Sequence, residues 1–176
     1  MARWILDPDH SVAGFAIRHM MLSNVLGHFS KVTGTLHFDP ADVARSSVEA
    51  VIDVSSICTG IKKRDSHLLS QDFFDAANYP EIVFKSNKIE DLGGNSCKVT
   101  GNLTIRGITH QVTLDGEYFG PIKSPFGATS VGFTGMTKIN REDYGVMWNE
   151  PMEGGGVVVG REVEITLNVE ADLSAE

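Results

Sequence analysis

The feature that most constrains this chain is an apolar residue at every second position, sustained through most of its length. In Ser11–His19, the residues Ala13, Phe15, Ile17 and His19 share one face, and Val12, Gly14, Ala16 and Arg18 share the other. Val48, Ala50, Ile52 and Val54 alternate with Ser47, Glu49 and Asp53, and Ile82, Phe84 and Ser86 alternate with Glu81, Lys85 and Asn87. Val99, Gly101, Leu103 and Ile105 then alternate with Lys98, Thr100, Asn102, Thr104 and Arg106, and Val112, Leu114 and Tyr118 with Gln111, Thr113, Asp115 and Glu117. Near the end, Val157, Val159, Val163, Ile165, Leu167 and Val169 oppose Glu162, Glu164, Thr166, Asn168 and Glu170. A period of two puts successive side chains on opposite faces of a strand, one face apolar and one wet. Strands of a parallel sheet would be apolar on both faces, so the pattern predicts an all-β, antiparallel fold.

One segment changes phase. Val25, Gly27 and Phe29 share a parity, whereas Val32, Gly34, Leu36 and Phe38 take the other. A β-bulge near Ser30–Lys31 would keep one apolar face and bend the strand. Bent strands and strand glycines (Gly27, Gly34, Gly101, Gly132, Gly135) suit closure into a barrel. Helical signals are short: Lys62–Phe74 is the best, with turns expected at Met20–Asn24, Ala41–Arg45 and Asn140–Gly145, the last two capped by Asp39 and Asn140. About eight strands with short connections allow a sandwich or a closed barrel. The barrel is favoured, because closure removes exposed edges and eight strands can enclose one small ligand.

A chain of 176 residues fits one domain, residues 1–176. Its 15 basic and 23 acidic side chains leave a net charge of −8, which disfavours nucleic acid or an anionic membrane as a partner. No stretch approaches the ~20 apolar residues of a membrane span, and the start, MARWILDPDHS, lacks the apolar core of an export signal. The expectation is a cytoplasmic chain without an integral membrane segment. Cys58 and Cys97, at the ends of apolar strands, read as small buried or half-buried thiols, with a single disulfide left open.

The segments WILDPDHS, AIRHMM, GHF, RDSHLLSQDFFDAANYPEIVF, GNLTIRG and INREDYGVMW occur in this order from Trp4 to about Glu170. Together they resemble the YceI-like, lipocalin-like polyisoprenoid-binding family. That resemblance implies an extended eight-stranded barrel whose interior holds a polyprenyl chain, an isoprenoid quinone or a related amphiphile. It also implies an exported setting for many relatives, in contrast to the leaderless start of this chain.

The histidines invite an active site, but none has the spacing of one. His10 and His19 flank the first long strand, and His19 falls on its apolar face, where a histidine is usually a hydrogen-bonded core residue. No pair has i, i+4 spacing, and no HEXXH metal motif occurs, so neither a metal nor a cofactor is called for. His28, His37 and His110 read as surface, the last in the turn after GNLTIRG. Asp7, His10 and Ser11 resemble a scrambled hydrolase triad without a G-x-S-x-G elbow. Gly154–Gly156 lacks the Lys-Ser/Thr pair of a phosphate loop and reads as a turn. Arg141 and Asp143 read as an ion pair anchoring a short helix.

In RDSH, two readings stand side by side. Arg64 and His67 could meet a pyrophosphate or carbonyl head at a barrel mouth; alternatively, Asp65 caps or pairs with Arg64 while Leu68 plugs the barrel end. The apolar face (Phe15, Ile17, Phe29, Phe84, Leu103, Ile105 and Phe133) fits a packed core and a ligand-filled cavity equally well by pattern. Small residues on that face (Ala13, Ala50, Gly101, Gly135) would leave room, and the resemblance favours the cavity. The candidate ligand-binding residues are therefore Phe15, Ile17, His19, Phe29, Arg64, His67, Leu68, Phe84, Leu103, Ile105 and Phe133. The expected function is carriage or sequestration of a long-chain isoprenoid lipid, with no catalytic residue assigned. Two alternatives stay open: an enzyme acting on such a lipid through His10, His19 or Asp65, and a filled barrel used for protein–protein contact. The exposed faces carry no long apolar stripe and leave a homodimer open.

Overall fold

The computed structural model describes residues 1–176 and is built from eleven strands and one helix. These are β1 (Arg3–Leu6), β2 (Val12–His19), β3 (Ser23–Phe29), β4 (Val32–His37), β5 (Ser47–Asp53), β6 (Ile57–Cys58), α1 (Lys62–Leu69), β7 (Glu81–Gly93), β8 (Ser96–Ile105), β9 (Ile108–Lys123), β10 (Thr129–Asn140) and β11 (Val159–Leu173). All pairings are antiparallel, as the alternation requires. Neighbours run β1-β4-β5-β7-β8-β9-β10-β11, and β11 returns to β1 to close an eight-position barrel.

The first three positions of the ring are each split in two. Both β1 and β2 pair with β11, through Leu6↔Ala171 and Ala13↔Leu167. Likewise β4 and β3 lie against β1 and β2, and β5 and β6 against β4 and β3. The phase change at Ser30–Lys31 is therefore a break between two strands with different partners, and not the bulge expected within one ladder. The break is still hydrogen-bonded: Asp53 N donates to Lys31 O at 3.0 Å and Lys31 N to Ser56 Oγ at 3.1 Å. The first split is held by Asp7, whose N–H reaches Glu170 O at 2.8 Å. Val54 and Val157, expected as strand residues, fall just outside β5 and β11, Val54 in a 3-10 turn and Val157 in an isolated bridge to Pro151.

Short turns join the long strands. The β8–β9 loop is Arg106–Gly107, both left-handed (φ 51° and 73°), the conformation a two-residue hairpin demands. Arg106 has no glycine-like freedom there; its Nη1 donates to Phe73 O (3.0 Å) and Gly145 O (2.9 Å), which holds it in place. The Met20–Leu22 segment is the β2–β3 hairpin turn, not a helical one. Val43–Arg45 forms a 3-10 turn starting from Asp42, while Asp39 accepts from Ala41 N. Arg141–Tyr144 forms another, capped as expected by Asn140, which accepts from Glu142 N.

Helix α1 ends at Leu69, five residues short of the expected Phe74. Ser70 stops it: its backbone turns extended (ψ 173°) and its hydroxyl donates to His67 O at 2.6 Å, competing with continuation of the helix. The chain then folds back through Phe73 and Phe74 over the barrel. Cys97 is buried and Cys58 exposed, against the expectation that both are sheltered; neither forms a disulfide. His28 and His37 are exposed, and His110 lies on β9, where its Nε2 meets Asp143 O at 2.9 Å.

Candidate functional site

The interior faces of the ring enclose a cavity of about 360 Å³ with an almost wholly apolar wall. That volume falls in the ordinary range of small-molecule sites. Hollowness is visible in the side chains themselves. Phe15, Leu36, Val48, Ile52, Phe84, Phe133, Ile165 and Leu167 all point inward, yet each keeps accessible surface instead of being sealed in a core. At one end the bore is closed by Phe38, Val43 and Tyr118, with the Phe38 and Tyr118 rings packed edge-on at 5.5 Å.

The wall is thinned by an arrangement that the sequence reading misassigned. Gly101 and Gly135 do not open space for a ligand; neither touches the cavity. The Phe84 ring lies across Gly101, and the Phe133 ring lies across Gly116 and Gly135. Phe15 lies across Gly27 in the same way. A Cβ at any of these glycines would collide with the ring. Each ring is therefore pressed flat against a neighbouring strand, and the space it would otherwise fill stays empty. Ala13 and Ala50 do line the cavity.

At the other end lie α1, the chain after it and the segment following β10. Phe74 packs edge-on against Phe29 (5.6 Å), and the Phe29 ring lies tilted against Phe15 (5.7 Å, interplanar angle 47°). His67 stacks edge-on with Phe73 (5.0 Å) and Trp148 (4.9 Å), and its Nε2 meets Asp72 at 2.8 Å. Arg64 is bound to Thr59, Nε to Oγ1 at 2.7 Å and Nη2 to the carbonyl at 2.6 Å. Asp65 accepts from Thr59 N and Oγ1, so it caps the loop before α1 and does not pair with Arg64. Leu68 faces the cavity from α1. The RDSH cluster thus has the capping arrangement, while Arg64 and His67 still border the cavity.

All eleven candidate residues, Phe15, Ile17, His19, Phe29, Arg64, His67, Leu68, Phe84, Leu103, Ile105 and Phe133, line this one cavity. Arg18 and His19 are the exposed members of the lining and mark its mouth, at the end of β2. Arg18 has outward parity and was not expected there. The β11 ladder opposite slips register between Val159 and Val163, which carries the end of β2 out of regular alternation.

Sequence reasoning also missed Arg141 and Tyr144, which sit in a turn where no period operates. Arg141 makes no ion pair with Asp143. It is buried, and its Nε, Nη1 and Nη2 donate to the carbonyls of Gly160 (2.7 Å), Val146 (2.6 Å) and Val159 (3.3 Å). Burial pulls its guanidinium below the ordinary value. Tyr144 is fully buried, its hydroxyl has no hydrogen-bond partner, and burial with the nearby Asp143 charge pushes it up to about 12. Both side chains line the cavity.

The triad-like residues are elsewhere. Asp7 caps a 3-10 turn and bonds His10 Nδ1 at 2.6 Å; Ser11 Oγ bonds the Glu170 backbone. None of the three lines the cavity. Asp7, His10 and Glu170 could together offer three ligand atoms to a cation. Exposed groups of this kind are common without one. No helix is long and apolar enough to cross a membrane.

Residues 4–171 match the YceI-like domain model. The chain belongs to the YceI-like family. It is 35% identical over 175 residues to a UPF0312 protein of Staphylococcus aureus, covering 99% of each chain. Among solved structures, BcnA of Burkholderia cenocepacia superposes with a TM-score of 0.80 at 29% identity, over 94% of this chain and 98% of that one. A polyisoprenoid binding domain from Saccharophagus degradans shares the fold, with a TM-score of 0.70 at 15% identity over 99% and 100% of the two chains. YceI-like barrels are thus the structural class, and a closed barrel around an apolar cavity is its form here.

Proposed function

We propose that this YceI-like protein binds a long-chain isoprenoid lipid, or a similar amphiphile, inside the barrel and carries or sequesters it. The observation that carries this reading is the hollow, apolar bore closed at one end and open beside Arg18 and His19. A soluble small substrate would need convergent polar groups along the wall, whereas a hydrocarbon tail needs only shape and apolar surface. Each buried five-carbon unit contributes on the order of 3–4 kcal/mol gross, at about 0.8 kcal/mol per carbon. Ordering the tail offsets much of that gain, so a few units suffice for tight binding. The name of the Saccharophagus relative, a polyisoprenoid binding domain, supports the same class of ligand.

Purification from the native host, solvent extraction and mass spectrometry test the reading. A co-purifying prenyl or other long-chain lipid near one per protein is the expected result. A protein that emerges empty and takes up no prenyl lipid in vitro sinks it.

A further inference from the structure

The β2–β3 turn beside the cavity mouth carries side chains that its backbone does not favour. Met20, Met21 and Leu22 follow Arg18 and His19 directly and are 41%, 67% and 80% exposed. Leu26, 68% exposed, stands on the outer face of the same hairpin, paired with Ala16. The backbone at Met20 and Met21 is left-handed (φ 50° and 60°), and the turn closes through Leu22 N to His19 O at 3.0 Å. Asparagine and glycine suit such a turn, whereas methionine adopts it only with backbone strain. Neither folding nor solubility accounts for consecutive apolar side chains held out in water at this point.

The turn is also firmly presented. Met20 N donates to Val158 O at 2.8 Å, and Met21 Sδ and Met152 Cε both lie against Gly156, 2.9 and 3.1 Å from where a Cβ would stand. Met152 thus extends the apolar tip from the loop before β11. Charge narrows the partner. The chain has a net charge of −8, yet no aspartate or glutamate occurs between Asp9 and Asp39. Exposed Glu150 and Glu153 flank Met152 in sequence and oppose an anionic surface. Shape narrows it further. Consecutive side chains in a tight turn splay in different directions, so a flat protein surface would cover some and leave others wet. A fluid hydrocarbon layer covers them all. A second exposed apolar tip, Phe126 at 96%, tops the β9–β10 loop. It lies beyond Tyr118 at the closed end, where contact with a bilayer would turn the mouth away.

We propose that the β2–β3 turn is a membrane-docking tip. Met20, Met21 and Leu22, with Met152 beside them, enter the acyl boundary of an uncharged or zwitterionic bilayer and hold the mouth against it. This deepens the lipid-binding reading and rests on it, because a prenyl tail then passes between bilayer and bore without crossing water. Apolar insertion drives the contact, so it withstands high salt, which screens only charge.

The test floats the purified protein with phosphatidylcholine vesicles that contain no prenyl lipid, and separately measures geranylgeraniol uptake without vesicles. The native protein is expected to float with the vesicles in low and high salt alike. A turn variant combines Met20→Asn and Met21→Gly, the residues this backbone prefers, with Leu22→Ser. It should partition onto vesicles roughly tenfold more weakly or worse. Its stability in urea should hold or rise, and its vesicle-free uptake of geranylgeraniol should be unchanged. A merely structural turn would not separate these readouts. Phe126→Ser should float like the native protein. A native protein that does not float, or flotation unchanged in the turn variant, overturns the docking; the carrier reading survives if geranylgeraniol still binds. Flotation lost in Phe126→Ser instead puts the bilayer at the closed end and overturns the proposal. Self-association in sedimentation that the turn variant abolishes, without flotation, gives the tip to a second copy and overturns it too. Docking lost in the turn variant, from a protein that takes up no geranylgeraniol, supports the docking and overturns the carrier reading.

Discussion

Asp7 and His10 share a hydrogen bond of 2.6 Å on the outer surface, and each shifts the other. The Asp7 hydrogen bond and charge, with Glu170 adding to them, raise His10; the His10 hydrogen bond is the main cause that lowers Asp7. Stability from His10 is fully present below the ordinary imidazole value of about 6.5 and is lost as pH rises through the raised one. Stability from Asp7 is present above the ordinary carboxyl value of about 3.9 and is lost as pH falls through the lowered one. An NMR titration should place His10 above the ordinary value, and Asp7→Asn should lower it towards that value, with Glu170 still acting on it; a His10 indifferent to that change contradicts the pairing. At the barrel mouth, Met20 and Met21 are both exposed and left-handed (φ 50° and 60°). Left-handed backbone costs a non-glycine residue about 1 kcal/mol, so Met21→Gly should stabilise the protein by roughly that amount in urea melts. Residue-level legibility followed the period. His28 and His37 were placed correctly by parity alone, whereas Arg141 and Tyr144 lie in a turn, where neighbouring sequence gives no clue to what a side chain meets 18 residues away.

Elements show the same division. The long strands β8, β9 and β11 were legible because one face of each is wet and the other apolar. The split of the first three positions was not, since a bulge and a break leave the same change of phase in a sequence. Helix α1 was overextended to Phe74 because Leu68, Leu69, Phe73 and Phe74 fit a helical stripe; the Ser70 hydroxyl bond to His67 O diverts the last two residues onto the barrel. What keeps them there is Arg106, which ties Phe73 O to Gly145 O and so links the chain after α1 to the segment after β10. Arg106→Ala removes two charge-assisted bonds, each worth ~1.5–3 kcal/mol. A loss of about 2–4 kcal/mol is expected in denaturant unfolding. Hydrogen exchange should quicken in residues 70–76 and 141–148 before it does in β8 or β10; uniform quickening would mean that Arg106 supports the whole barrel.

For the whole molecule, closure was legible from eight amphipathic strands, but hollowness was not, because a filled and an empty barrel alternate alike. Ile165, midway along β11 and opposite Phe15, tests the difference. Ile165→Trp should fit into the bore with little change in melting temperature and abolish uptake of prenyl lipid. In a packed core the same change would cost about 1–3 kcal/mol through overpacking. The phenyl rings lying on Gly27, Gly101, Gly116 and Gly135 have a consequence for how such barrels diverge. The bore is gauged by a second rank of positions that never meet its contents. A single methyl at Gly27 would lift Phe15 inward and narrow the passage, with every lining side chain unchanged. Kin that differ in the size of molecule they admit can therefore look identical along their inner walls, and the record of that divergence is written in the glycines behind them.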